Sequence, residues 1–74
     1  MNNWKITFEV YVQRNGIQER RVRETYAQAD NIRTACDLFA ETLWPEMQEK
    51  DKKKETPELI GAQYRVTSID QHLK

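Results

Sequence analysis

DNIRTACDLFAETLW, from Asp30 to Trp44, reads as one amphipathic helix, and the rest of the chain is organised around it. Ile32, Cys36, Phe39, Leu43 and Met47 succeed one another at steps of four, three, four and four. At about 100° per residue these positions form a narrow stripe, with Ala35 and Ala40 on its flanks. Arg33, Thr34, Asp37 and Glu41 point away from it. Asp30 is the expected N-cap, because its carboxylate can accept from the free N–H groups of the first turn and meets the positive end of the helix dipole. Pro45 lacks a backbone donor and crowds the preceding turn, so the helix is expected to end or kink near Trp44. At most a short, weakly anchored turn through Glu46–Glu49 would come after it.

Upstream, Trp4, Ile6, Phe8, Val10 and Val12 alternate with Lys5, Thr7, Glu9, Tyr11 and Gln13. Period-two alternation rich in β-branched and aromatic residues predicts a strand. Asn15-Gly16 and a second run, Ile17 to Tyr26, complete a hairpin. A two-residue loop would pair Phe8 with Arg23 and Ile6 with Thr25, which wastes the apolar face of the first strand. A three-residue loop, Arg14-Asn15-Gly16, pairs Phe8 with Val22 and Trp4 with Tyr26, and is the expected register. The inward set of the second strand is then Arg20, Val22, Glu24 and Tyr26. Its charges suit an edge.

Downstream, QEKDKKKETPE (Gln48–Glu58) has no apolar period and reads as a solvated, mobile loop. Leu59 to Ile69 gives a third strand with Ala62, Tyr64 and Val66 inward and Gln63, Arg65 and Thr67 outward. Asp70 to Lys74 is a tail. A helix between the second and third strands makes a crossover, so the third strand belongs beside the first and parallel to the second. The expected fold is α+β: a single-layer, three-stranded, mainly antiparallel sheet in order 2-1-3, with one helix on one face.

Composition bounds the function. The 74 residues make one small domain. Lys plus Arg and Asp plus Glu number 12 each, so net charge is zero and no strong field attracts nucleic acid or an anionic membrane. A single cysteine excludes an internal disulfide and suits a reducing compartment. No apolar run is long enough to span a membrane, and the alternating N-terminus lacks a signal peptide's regions. A cytoplasmic protein is expected.

Cys36 and His72 are the one available nucleophile and base. Cys36 falls mid-stripe, where a thiol acts as a small apolar residue, and His72 falls in the tail. Asp37 and Glu41, spaced i, i+4 with Arg33 nearby, read as a solvated helix face. No cluster has metal-ligand spacing, and the two glycines, Gly16 and Gly61, form no phosphate loop. No enzyme, metal or cofactor is expected.

Two surfaces remain. Leu38 and Trp44 fall off the helix stripe and, with Arg33, Asp37 and Glu41, offer a protein-contact area. In the expected register Lys5, Tyr11, Arg21, Arg23 and Arg65 share the outer sheet face, which could pair phosphates and stack a base. The sheet edges could add a strand or a second copy. In size, β-β-α-β order, balanced charge and absence of a catalytic constellation the chain resembles small phage or mobile-element proteins that bind and modify host machinery. That likeness is one of architecture, and no motif identifies a family. The leading expectation is a non-enzymatic module that binds a larger protein and modulates or inhibits it. The alternative is a nucleic-acid-binding module.

Overall fold

The computed structural model describes residues 2–72. β1 (Asn2–Arg14) and β2 (Ile17–Ala29) form a long hairpin, and β3 (Gln63–Gln71) lies on the other side of β1. The order is β2-β1-β3, with both outer strands antiparallel to β1 and hence parallel to each other. The most apolar strand is central, as expected from its alternation. One helix crosses a single face, and the opposite face of the sheet is uncovered.

The hairpin register differs from the expected one. Arg14 pairs with Ile17, so the loop is the two-residue Asn15-Gly16 turn. Asn15 and Gly16 both take left-handed backbone, at φ 55° and 78°. That is the geometry whose twist matches a hairpin, and Asn-Gly supplies it at little steric cost. Phe8 therefore faces Arg23, Ile6 faces Thr25 and Trp4 faces Ala27. The helix-side set of β2 becomes Glu19, Arg21, Arg23, Thr25, Ala27 and Ala29. Val22 and Tyr26 turn to the open face. The turn outweighs the pairing of large apolar residues, and the register has a packing benefit of its own. α1 (Ile32–Leu38) lies against β2, and the buried residues there, Ala27, Ala29 and Ala35, are small enough for close approach.

The helix also corrects its expected reading. Asn31, not Asp30, is the N-cap, and its side chain accepts from the Thr34 N–H at 2.9 Å. Pro45 does not end the helix. α1 passes through a π-helical turn, Phe39–Leu43, into α2 (Trp44–Lys52) without a break in helical backbone. The Trp44 N–H donates to the Phe39 carbonyl five residues back. This widened turn makes Pro45 a first-turn residue of α2, a position that tolerates proline's ring and missing N–H. One inserted residue also rotates the downstream helix by about 100°. The buried positions are thus Ala35, Phe39 and Trp44, with Leu38, Leu43 and Met47 packed around them. Ile32 and Cys36, expected in the stripe, are exposed.

The core is Ile6, Phe8, Val10 and Val12 from β1, Phe39 and Trp44 from the helix, Ala27 from β2 and Leu59 from the loop. Phe8 lies 4.8 Å from Phe39, and Trp44 lies 4.8 Å from Tyr64, measured between ring centroids. The segment after the helix is less free than its composition suggests. Asp51 is only 3% exposed and accepts from the Glu58 and Leu59 N–H groups at 2.6 and 2.7 Å. Gln48 donates to the Leu59 carbonyl at 3.0 Å. Helix runs on through Lys52, and the Gln48–Glu58 stretch is tied down at both ends. Leu59 begins a turn rather than a strand, since Gly61 at φ 77° cannot continue an extended chain. β3 accordingly starts at Gln63. Ala62, Tyr64 and Val66 face the helix as expected, and a bulge opposite Thr7/Phe8 brings Ile69 to the same side. The strand extends to Gln71, and the His72 N–H donates to the Asn3 carbonyl. The last residues of the expected tail, 73–74, lie outside the described part.

Candidate protein-binding surface

The expected helix-flank site divides when placed on the fold. Trp44 is 7% exposed and belongs to the aromatic core, so it is no surface anchor. The π-helical turn is the reason: without its extra residue Trp44 would sit on the flank. Leu38 is half-buried against the same core. Arg33, Asp37 and Glu41 are exposed on the outer side of the helix, and no ion pair joins them among the described residues.

The expected basic sheet face divides as well. Arg21 and Arg23 stand on the helix side of β2, opposite Val10 and Phe8. There Arg21 and Arg14 both bind the Glu58 carboxylate, which holds the loop to the hairpin. Lys5, Tyr11 and Arg65 do share the open face, and Arg20 joins them. None of these cations is free. Glu9, 6% exposed, accepts from Tyr11 at 3.1 Å and pairs with Arg20 at 3.0 Å and Arg65 at 3.5 Å. Lys5 pairs with Glu24 at 2.9 Å, and that hydrogen bond and charge hold its ammonium above the ordinary lysine range. Among the described residues three cations (Lys5, Arg20, Arg65) thus stand against three carboxylates (Glu9, Glu24, Asp70) on this face. The result is a neutral lattice of alternating sign, not an electropositive platform.

Sequence reasoning missed what lies beside that lattice. Val22 and Tyr26 are 63% and 55% exposed on the open face of β2. The Tyr26 ring packs at 5.1 Å from His72, and with Asn3 and Gln28 they line a shallow hollow of about 370 Å³. β2 is an edge strand of thirteen residues with an unbroken register and no proline. Of the common edge protections β2 lacks short length, bulges and proline, and carries only charged side chains. The signal was in the sequence: Asn15-Gly16 taken as a two-residue turn puts Val22 and Tyr26 outside.

A larger cleft of about 490 Å³ opens where β1 outruns β3, between Tyr11–Arg14 and the Thr56–Gln63 segment. Its charged walls, Arg14 and Glu58, are bound to each other. Cys36 and His72 lie apart, the one on the exposed side of α1 and the other against Tyr26. Among the described residues no cluster of three or more His, Cys, Asp or Glu could hold a metal ion, and no helix is long and apolar enough to cross a membrane. Comparison of the chain with family models, curated proteins and solved structures finds no match.

Proposed function

We propose that this chain is a non-enzymatic module that binds a larger protein and modulates or inhibits it. Its contact surface is the uncovered sheet face along β2, not the helix flank. One observation carries this reading: Val22 and Tyr26 stand more than half exposed on a face where, among the described residues, every cation has a carboxylate partner. A neutral, partly apolar face with an aromatic residue suits a protein surface, where aromatic anchors contribute most of the binding energy. It suits phosphate poorly, because each cation would have to exchange its partner, and Arg21 and Arg23 are on the wrong side of the sheet.

The test is capture of partners from a lysate of the cells that express the chain. Wild type is compared with Val22→Lys/Tyr26→Lys, Arg33→Glu/Asp37→Lys/Glu41→Lys and Lys5→Glu/Arg65→Glu, each checked for folding. A nuclease-resistant protein lost in the first variant alone supports the proposal. Recovery that collapses with nuclease or moderate salt favours nucleic acid instead, and loss confined to the helix variant moves the site to Arg33, Asp37 and Glu41.

A further inference from the structure

From the long, unbulged and proline-free β2 edge we infer that a second copy of this chain occupies it, β2 against β2 in antiparallel pairing about a two-fold axis at Val22, forming one six-stranded sheet. The inference rests on the reading of β2 as the working side of the molecule, and the pairing leaves the open face of both copies available to a larger partner.

Backbone geometry limits the registers. In a two-residue hairpin the residues flanking the turn are a hydrogen-bonded pair, here Arg14 and Ile17. Odd-numbered residues of β2 therefore direct their N–H and C=O groups at β1. Even-numbered residues direct theirs at the open edge. A second β2 must bring even-numbered residues opposite one another, and the side chains of that set all lie on the open face.

Charge on the open face then discriminates among the registers centred between Arg20 and Glu24. Centring the axis on Arg20 or Glu24 sets like charges face to face. Centring it on Arg21 or Arg23 sets a charged residue against Val22. Centring it on Val22 sets valine on valine and Arg20 opposite Glu24 of the second copy, twice. Gln18 then faces Tyr26.

That register also completes a pattern already present in each chain. Arg65 pairs with Glu9, Glu9 with Arg20, and Glu24 with Lys5, and Lys5 stands opposite Asp70. Joined at the axis, they give Arg65, Glu9 and Arg20 of one copy followed by Glu24, Lys5 and Asp70 of the other. The sign alternates across all six strands, and symmetry supplies the row twice. On the helix side Arg23, which is in no ion pair among the described residues, comes diagonal to Glu19 of the second copy. It also directly faces Arg21 of the second copy, a like-charge pair that works against this register and whose cost Glu19 and Glu58 lessen.

The experiment is sedimentation equilibrium on the full chain from micromolar to millimolar concentration. It compares wild type, Arg20→Glu, Glu24→Arg and an equimolar mixture of the two variants. Wild type is expected to self-associate, and each single variant, with like charges at both sites, to do so about tenfold more weakly. In the mixture both facing pairs are opposite in sign, so association should return to within about threefold of wild type. Because Arg20 also serves Glu9, a second measurement guards against a misfolded variant. Val22→Cys in a Cys36→Ser background should cross-link to a dimer under mild oxidation, whereas Gln28→Cys, far from the axis, should not. A wild type that stays monomeric, a mixture no stronger than its components, or cross-linking at Gln28→Cys and not at Val22→Cys overturns the inference. A monomer that still loses its larger partner through Val22→Lys/Tyr26→Lys overturns the second copy alone. A dimer with no partner sensitive to those substitutions overturns the proposed function alone.

Discussion

The two edges of this sheet are built in opposite senses. β3 is nine residues long, interrupted by a bulge, and places Tyr64, Val66 and Ile69 against the helix. β2 is thirteen residues long and uninterrupted; its helix side carries Glu19, Arg21, Arg23 and two alanines, while Val22 and Tyr26 face outward. One edge strand completes the core and the other presents a surface. A single-layer sheet under a short helix can bury only so much. The helix's aromatic residues reach β3, where Phe39 and Trp44 both pack on Tyr64. On the β2 side the helix meets alanine.

The sharpest way to break that contrast is to truncate one aromatic residue on each side of the sheet. Trp44→Ala, on the β3 side, should destabilise the fold by about 3–5 kcal/mol, enough to leave so small a domain largely unfolded. Tyr26→Ala, on the open face of β2, should change stability by no more than about 0.5 kcal/mol. Urea denaturation of both, monitored by circular dichroism, tests the pair. Comparable losses would mean that β2 contributes to the core after all.

The β3 side depends further on Asp51. Asp51→Ala strips the acceptor from two backbone N–H groups, and one unsatisfied buried donor alone costs roughly 1–3 kcal/mol. We expect a loss of about 3 kcal/mol, together with faster amide exchange at Leu59 and unchanged exchange at the centre of the hairpin. Equal acceleration in both places would show that the loop and the β2 side are one cooperative unit.

Much of this was legible in the chain itself. Alternation from Trp4 to Val12 marks the central strand, and β-β-α-β order with one apolar strand yields 2-1-3. Three readings failed where a local detail overrode a periodic pattern. The apolar pattern argued for Val22 inward, but the left-handed preference of Asn15-Gly16 set the register and reversed the face. Pro45 argued for a helix end, but a π-helical turn absorbed it and carried Trp44 from flank to core. No apolar period announced the order in Gln48–Glu58, because that order comes from polar contacts: the buried Asp51 carboxylate, the Gln48 amide and the Glu58 ion pairs. The candidate site moved with the first two of these. Turn chemistry outranked the burial of two side chains.

The register predicts a smaller effect at the turn. Gly16 stands at φ 78° with nothing within 4 Å of where a Cβ would be, so a side chain there meets strain and not collision. Gly16→Val should cost about 1–2 kcal/mol, measured by thermal and urea unfolding. A cost near zero would mean that the hairpin can slip toward the three-residue loop, with Val22 turning inward.

The smallest expected effect discriminates best. Val22 contributes little to the fold of one chain, being mostly exposed with no helix above it. In dilute solution Val22→Lys should therefore leave the stability in urea within about 0.5 kcal/mol of wild type. If β2 meets β2 at this residue, concentration separates the two proteins. Wild type gains stability as association is linked to folding, whereas the variant, with two ammonium groups set against each other at the axis, does not. Midpoints measured at both ends of the concentration range should then diverge for wild type and coincide for the variant. A wild-type midpoint independent of concentration would leave β2 as a face without a paired edge.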